Sequence, residues 1–144
     1  MNEAVLDASV VVKWFHSEGE GNLDVARRLR AQFEAGELHV LAPSLLRLEL
    51  LNIAARRWSW PGAQLEHLAT TLEQIGFEVL DAELASVARW AATRLTAYDA
   101  AYVAVAEQAG VALITDDAQI AVSAPTVAIA LVALQVPGDG DDNP

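Results

Sequence analysis

Short apolar runs alternate along the chain with longer stretches in which apolar residues recur every three or four positions. The short runs predict five buried strands, at 4–6, 38–41, 77–80, 111–114 and 127–131. The longer stretches predict helices at 8–15, 22–35, 44–57, 61–76, 81–95 and 96–110. Strands that alternate with helices predict an α/β fold, here a three-layer α/β/α sandwich around a mainly parallel sheet of about five strands.

Residues that favour helix starts precede several of these stretches. Ser44 and Asp81 are predicted N-caps, and Pro61 suits the first turn of the helix that it opens. Thr96 and Asp99 have the spacing of a capping box, with Asp in place of the usual Glu or Gln. These signals place the helix boundaries to within a few residues.

Composition favours one globular domain, predicted over residues 1–136 and followed by a disordered acidic tail at 137–144. The absence of cysteine excludes a disulfide framework, a thiolate zinc site and a cysteine nucleophile. The first residues lack the basic segment of a signal peptide, and the apolar run at 127–134 is too short to span a bilayer. We therefore expect a soluble, cytoplasmic protein without a membrane association.

The net charge of −11 counts against a nucleic-acid ligand, because phosphate binding favours basic surface. All nine basic residues nevertheless lie between Lys13 and Arg94. The two arginine clusters are either solvated helix faces or guides for phosphate: Arg27, Arg28 and Arg30, and Arg56 and Arg57. The four tryptophans are expected in the core or at a protein interface, the latter between Ser44 and Gly76.

Acidic residues follow two of the predicted strands. Asp7 comes directly after the first strand, and Asp116 and Asp117 come after the fourth. Ligands of open α/β sheets bind beyond the carboxyl ends of the strands. If both strands belong to one parallel sheet, these acids lie at the same edge.

Two further acids, Glu49 and Asp99, interrupt helices that are otherwise largely apolar. An isolated carboxylate is costly to bury, and neither residue has a Lys or Arg one turn away on its own face. A divalent cation would resolve this, and Mg²⁺ and Mn²⁺ prefer carboxylate oxygens. Such a site can generate hydroxide from water and stabilise the leaving oxygen of a phosphodiester.

Each acid also has a purely structural explanation. Asp7 suits a helix cap, Asp99 the capping box, and Glu49 an ion pair with a distant arginine. Asp116 and Asp117 suit a polar turn that caps a short helix. The histidines lack the spacing of metal ligands, and the chain has neither a glycine-rich phosphate loop nor a Gly-x-Ser-x-Gly elbow.

The segments around these acids resemble, in order, four motifs of PIN domains. They are Val5-Leu6-Asp7-Ala8-Ser9, Pro43-Ser44-Leu45-Leu46-Arg47-Leu48-Glu49, Leu95-Thr96-Ala97-Tyr98-Asp99 and Leu113-Ile114-Thr115-Asp116-Asp117. The size and the Asp-Ala-Ser-Val opening are most similar to bacterial VapC toxins. Each motif is weak alone, but four in this order are specific.

The resemblance implies an endoribonuclease that uses Mg²⁺ or Mn²⁺ and metal-activated water, leaving a 5′-phosphate and a 3′-hydroxyl. It implies four catalytic, metal-binding carboxylates, namely Asp7, Glu49, Asp99 and Asp117. Asp116 is adjacent and remains an alternative or additional ligand. Ser9 and Thr115 would orient these carboxylates by hydrogen bonds.

The implied partners are an RNA substrate, a small VapB-like antitoxin and a second copy of the chain in a homodimer. The first alternative is a PIN-like module without catalysis, which binds protein or RNA. A second alternative, a phosphate-handling receiver or phosphatase domain, would need a lysine at a later strand end, and Lys13 is the only lysine.

Overall fold

A computed structural model describes residues 2–135, which contain five strands and seven α-helices. The strands are β1 (Asn2–Leu6), β2 (Leu38–Ala42), β3 (Glu78–Val79), β4 (Ala112–Thr115) and β5 (Ala128–Ala130). The helices are α1 (Ala8–Phe15), α2 (Leu23–Glu34), α3 (Leu45–Arg56), α4 (Gly62–Gln74), α5 (Leu84–Ala91), α6 (Ala97–Ala109) and α7 (Ala118–Ser123). A 3₁₀ turn, Leu131–Leu134, follows β5. The predicted tail at 137–144 lies outside the described residues.

The strands form one parallel sheet in the order β3-β2-β1-β4-β5, which confirms the predicted fold class. The chain leaves β1 toward β2 and β3, then returns to place β4 on the other side of β1. The order of connections therefore reverses between β1 and β4. Open α/β sheets bind their ligands at such a switch point, beyond the carboxyl ends of the strands.

Helices cover the sheet in two layers. Because crossovers between parallel strands are right-handed, α1 to α4 belong to one face and α5 to α7 to the other. Contacts agree with this division, since α1 packs against α2 and α3, α3 against α4, and α5 against α6. Val5, Leu6 and Leu113 of the two central strands have no exposed surface. Within residues 2–135, every helix is too short or too polar to span a bilayer.

Two of the predicted helix starts are built differently from the expectation. Helix α5 begins after Glu83, and Asp81 instead accepts hydrogen bonds from the backbone and hydroxyl of Ser44, with its Oδ1 2.9 Å from Ser44 N. The Ser44 hydroxyl is thereby engaged and makes no capping bond in α3. Two residues that the sequence assigns to separate helices thus tie the end of β2 to the segment after β3.

The helix predicted to reach Leu95 ends at Ala91. Thr96 is the extended N-cap of α6, and its side chain accepts a hydrogen bond from Asp99 N. The chain must leave the helical conformation before Thr96 to form this cap. Leu95 is nevertheless buried, so its apolar character marks the core and not the continuation of α5.

The short helix α7 is anchored by Ile120, which is buried, whereas Val122 on the same helix is exposed. We expect Ile120→Val to lower the free energy of unfolding by about 1 kcal/mol, because it removes one buried methylene. Val122→Ala, the matched control, should change it by less than about 0.5 kcal/mol. Urea denaturation of both variants measures the difference, and equal effects would contradict the packing described for α7.

Candidate active site

The central strands β1 and β4 deliver a hydrogen-bonded cluster at their carboxyl ends. Asp7 Oδ1 accepts from the hydroxyl of Ser9 at 2.5 Å, and Asp7 Oδ2 accepts from the hydroxyl of Thr115 at 2.5 Å. These hydroxyls in turn accept from backbone N–H groups, Ser9 from Asp116 at 2.8 Å and Thr115 from Asp117 at 3.0 Å. Two chains of hydrogen bonds therefore run from the end of β4 to both oxygens of Asp7 and fix its orientation.

Asp7 is a buried carboxylate, with 3% of its surface exposed. The pKa of Asp7 is raised to about 6, chiefly by burial. Hydrogen bonds from Ser9 and Thr115 lower it, and the negative charge of Asp117 raises it further. Asp7 occupies the N-cap position of α1 but makes no side-chain capping bond. Its carboxylate is therefore held for the site and not for the helix.

Glu49 of α3 faces Tyr102 of α6, whose hydroxyl donates a hydrogen bond to Glu49 Oε1. Burial raises the pKa of Glu49, the Tyr102 bond lowers it, and the charge of Asp99 raises it. Burial and then Glu49 raise the pKa of Tyr102, so the phenol stays protonated and remains a donor. The predicted ion pair of Glu49 with an arginine is absent from the described residues.

Asp99 lies in the first turn of α6, where only half of the predicted capping box forms. Its backbone N–H donates to Thr96 Oγ1 at 3.0 Å, but within residues 2–135 the reciprocal bond, from the Thr96 backbone N–H to the Asp99 carboxylate, is not found. Burial and the charge of Asp117 raise the pKa of Asp99, and a side-chain hydrogen bond with Thr96 lowers it. The carboxylate is free of the capping role and lines the same cavity as Asp7 and Glu49.

Asp116 and Asp117 are adjacent but differently engaged. Asp117 is the N-cap of α7, and its Oδ1 accepts from the N–H groups of Gln119 and Ile120. Asp116 accepts from Asn22 at 3.0 Å and pairs with Lys13 at 2.9 Å, using both of its oxygens. Asp116 is therefore neutralised by a neighbour, whereas Asp117 keeps one oxygen without a described partner.

Lys13 is a buried cation that links three elements around the cavity. Its ammonium lies 2.8 Å from Glu20 and 2.9 Å from Asp116, and Glu20 also pairs with Arg57 at 3.0 Å. Burial lowers the pKa of Lys13, but the hydrogen bonds and charges of Glu20 and Asp116 outweigh burial and raise it. Lys13 and Arg57 thus neutralise Glu20 and Asp116.

These residues surround a cavity of about 250 Å³, hereafter the acidic cleft. Six of its lining residues are acidic: Asp7, Glu20, Glu49, Asp99, Asp116 and Asp117. With Glu20 and Asp116 paired, the other four carboxylates make no ion pair with any Lys or Arg of the described chain. The pKa values of Asp7, Glu49 and Asp99 are raised, first by burial and then by the charge of a neighbouring carboxylate.

The donor chemistry of the acidic cleft fits a hard divalent cation such as Mg²⁺ or Mn²⁺, which takes carboxylate oxygen and water. In residues 2–135, however, no group of three or more His, Asp or Glu side chains is already arranged to hold an ion. Like charges repel one another when no cation lies between them. Binding would therefore require these side chains to move closer together.

The structure brings every candidate acid and hydroxyl of the sequence into this cleft or its hydrogen-bond network, and of the two arginine clusters Arg57 lines it. Sequence reasoning missed Tyr102, Lys13 and Glu20. The sequence could have indicated Tyr102, since it lies three positions after Asp99 and so shares its helix face. Nothing in the sequence indicates Glu20, because it lies in an irregular segment whose contacts depend on how α1 and α3 pack.

Fold and site together define a class: a parallel α/β domain with an acidic cleft at the switch point of its sheet. The profile of the PIN domain matches residues 4–124, and the chain therefore belongs to the PIN-domain family. PIN domains are generally nucleases and typically use divalent metals. A search of curated proteins found no match.

Solved structures show the same fold. PAE2754 from Pyrobaculum aerophilum is 26% identical with a TM-score of 0.63, and the alignment covers 92% of each chain. FitAcB from Neisseria gonorrhoeae is 16% identical with a TM-score of 0.63, covering 91% of this chain and 99% of that one. FitAB bound to an IR36 DNA fragment is 14% identical with a TM-score of 0.61, covering 93% and 99%.

Proposed function

We propose that this protein is a Mg²⁺- or Mn²⁺-dependent endoribonuclease of the VapC type, the toxin of a VapBC-type pair. The observation that carries the proposal is the division of charge in the acidic cleft. Two of its six acids are neutralised by Lys13 and Arg57, and the remaining four are those that the PIN motifs single out. A structural role alone gives no reason to leave four carboxylates together without a cation.

The four carboxylates Asp7, Glu49, Asp99 and Asp117 hold the metal in this proposal. We assign the fourth place to Asp117, because both oxygens of Asp116 are engaged by Asn22 and Lys13. Ser9 and Thr115 position Asp7, and Tyr102 positions Glu49. When bound, the cation supplies Lewis-acid charge at the scissile phosphate and makes water a stronger nucleophile.

The substrate is single-stranded or looped RNA, because the phosphodiester must reach a cleft and a regular helix would hold it away. The toxin role is supported by the likeness of the Asp-Ala-Ser-Val opening to VapC toxins. From it we infer a VapB-like antitoxin, a homodimer and action in the cytoplasm. FitAB, which contains a chain of similar fold, was solved bound to an IR36 DNA fragment.

The test is a cleavage assay on total RNA with purified protein freed of any partner, in Mg²⁺ or Mn²⁺ and in excess EDTA. We expect discrete products that require the metal and are lost in Asp7→Asn. Metal-loaded protein that leaves RNA intact would favour the PIN-like module without catalysis. Protein that binds no metal at all would refute the assignment of the acidic cleft.

Tyr102→Phe tests the positioning of Glu49. The variant keeps the buried ring and removes the hydroxyl that donates to Glu49. We expect RNA cleavage to fall about 10- to 100-fold with the fold retained, the usual effect of losing a residue that orients a ligand. Cleavage rates over a range of Mn²⁺ concentrations measure it, and Tyr98→Phe, exposed one position before Asp99, is the control. An unchanged rate would remove Tyr102 from the site.

A further inference from the structure

A second cavity lies next to the acidic cleft. It measures about 470 Å³ and is lined by His16, Glu18, Gly19, Glu20, Arg57 and Trp58. Glu20 and Arg57 line both cavities, so the two are adjacent. We call the second cavity the aromatic pocket. A nucleic-acid strand bound in the acidic cleft therefore passes next to this pocket.

A stacked pair of rings forms one wall of the aromatic pocket. The imidazole of His16 lies on the indole of Trp58 with centroids 4.3 Å apart and an interplanar angle of 11°. Both side chains are half-buried, so part of each ring is accessible. Nδ1 of His16 is, within residues 2–135, the buried side-chain polar atom that lacks a hydrogen-bond partner. The wall thus combines partly exposed aromatic rings with one buried ring nitrogen.

The backbone after α3 holds this wall in a strained turn. Ser59 has a φ of 55°, in the left-handed region that residues with a side chain rarely adopt. The turn places Trp60 against Trp58, with centroids 5.1 Å apart, and both rings pack on the core. Left-handed residues other than glycine often mark functional sites, because the surrounding structure must offset their cost.

Arg57 provides the positive charge at the junction of the two cavities. It is the one cationic side chain, among the described residues, that lines either cavity. Its side chain is 61% exposed, and Glu20 engages Nη2 at 3.0 Å. A guanidinium has five N–H donors, so several remain for a phosphate. In an acidic protein, this cation gives an RNA backbone a specific point of attachment beside the carboxylates.

We propose that the aromatic pocket binds one nucleotide of single-stranded RNA next to the scissile phosphate. The base stacks on the His16–Trp58 pair, and Arg57 contacts the adjoining phosphate. Bases of unpaired RNA are free to stack on aromatic side chains, whereas bases in a duplex are not. The proposal rests on the proposed ribonuclease function and explains how an acidic cleft selects unpaired RNA.

The experiment uses a short oligoribonucleotide that spans a cleavage site, and a series in which each nucleotide in turn lacks its base. For wild-type protein, we expect kcat/KM to fall about 10- to 100-fold at one abasic position, the usual effect of one lost stacking contact. On the intact oligonucleotide, Trp58→Leu should lower kcat/KM by a similar factor. On the oligonucleotide that lacks the stacking base, the variant should lower kcat/KM little further than the abasic change already does. Trp90→Leu, a half-buried tryptophan on α5, should behave as wild type.

Arg57→Gln tests the phosphate contact separately. We expect its binding of RNA to depend less steeply on salt, with the slope of log affinity against log salt smaller by about one. His16→Ala repeats the stacking test if Trp58→Leu fails to fold by circular dichroism. Trp58→Phe, which keeps an aromatic ring, should recover most of the lost kcat/KM.

The outcomes separate the two proposals. Wild-type protein that does not cleave RNA with metal overturns both the ribonuclease and the nucleotide pocket. Cleavage that is equally strong in wild type and Trp58→Leu, with no position-specific abasic effect, overturns the pocket alone. A Trp58→Leu variant that changes only oligomeric state or antitoxin binding would assign the wall to a protein partner and overturn the pocket as well.

Discussion

Asp99→Asn is expected to abolish discrete RNA cleavage while the protein stays folded. The carboxylate of Asp99 makes no ion pair in the described chain, and the bond that this residue contributes to the helix cap comes from its backbone N–H. The substitution therefore removes charge from the acidic cleft and little else. We expect the rate to fall roughly 100- to 1,000-fold or more, as when one preorganised electrostatic contact is removed.

The matched control is Asp24→Asn, an exposed acid in the first turn of α2 that lies outside the acidic cleft. Both substitutions weaken a favourable interaction with a helix dipole by about 0.3–1 kcal/mol. Any difference between them in cleavage is therefore due to the cleft. Thermal unfolding confirms that both are folded, and wild-type cleavage by Asp99→Asn would refute the carboxylate assignment.

Metal-free protein is expected to lose stability as the pH rises from about 4 to above 6. The pKa of Asp7 is raised from 3.8 to about 6 in the folded protein, so the folded state binds more protons than the unfolded state in this window. Stability from this group is complete below the unfolded pKa and is lost as the pH rises through the folded pKa. The shift corresponds to about 3 kcal/mol.

Other groups do not reverse this sign. The pKa values of Glu49 and Asp99 are also raised, so both add to the loss. The raised pKa of Lys13 keeps its ammonium charged throughout the window. Mg²⁺ or Mn²⁺ should restore stability at pH 8, because a ligand that binds only the folded state shifts the unfolding equilibrium.

Urea denaturation at pH 5 and pH 8, with EDTA and with Mn²⁺, measures this dependence. About half of the 3 kcal/mol should be lost between these two values, since the loss begins below pH 5. Asp7→Asn has no charge to titrate and should remove that part of the dependence. A wild-type protein that is equally stable at both pH values in EDTA would contradict the raised pKa of Asp7.

The same carboxylates determine both the pH dependence of stability and the proposed cleavage. In the metal-free protein, burial and then neighbouring charges disfavour the ionised forms of Asp7, Glu49 and Asp99, whose pKa values are raised. Functional sites commonly keep such unfavourable arrangements because a ligand relieves them. The pH dependence of stability therefore tests the acidic cleft without any assay of activity. If the predicted dependence is not observed, the choice of RNA substrate cannot be the reason.

The assignment of Asp117 over Asp116 shows where sequence reasoning reaches its limit. Both acids follow β4, and the spacing of the motif selects Asp117 but leaves Asp116 as an alternative or additional ligand. The structure distinguishes them because Lys13 and Asn22, from other elements, engage Asp116. Neither partner is close in sequence to Asp116, so its neutralisation follows from packing of α1 and the segment before α2 against the end of β4.

Local sequence by itself determined the elements, the parallel sheet and the four candidate acids. The spacing of apolar residues and the length of each apolar run distinguish buried strands from helices. A charged residue within an apolar run can be recognised from the sequence alone. Only the tertiary structure decided the strand order, the early end of α5, the Ser44–Asp81 contact and the pairing of Glu20 with Lys13 and Arg57. These depend on contacts between residues far apart in sequence, whose geometry is set by packing and not by local pattern.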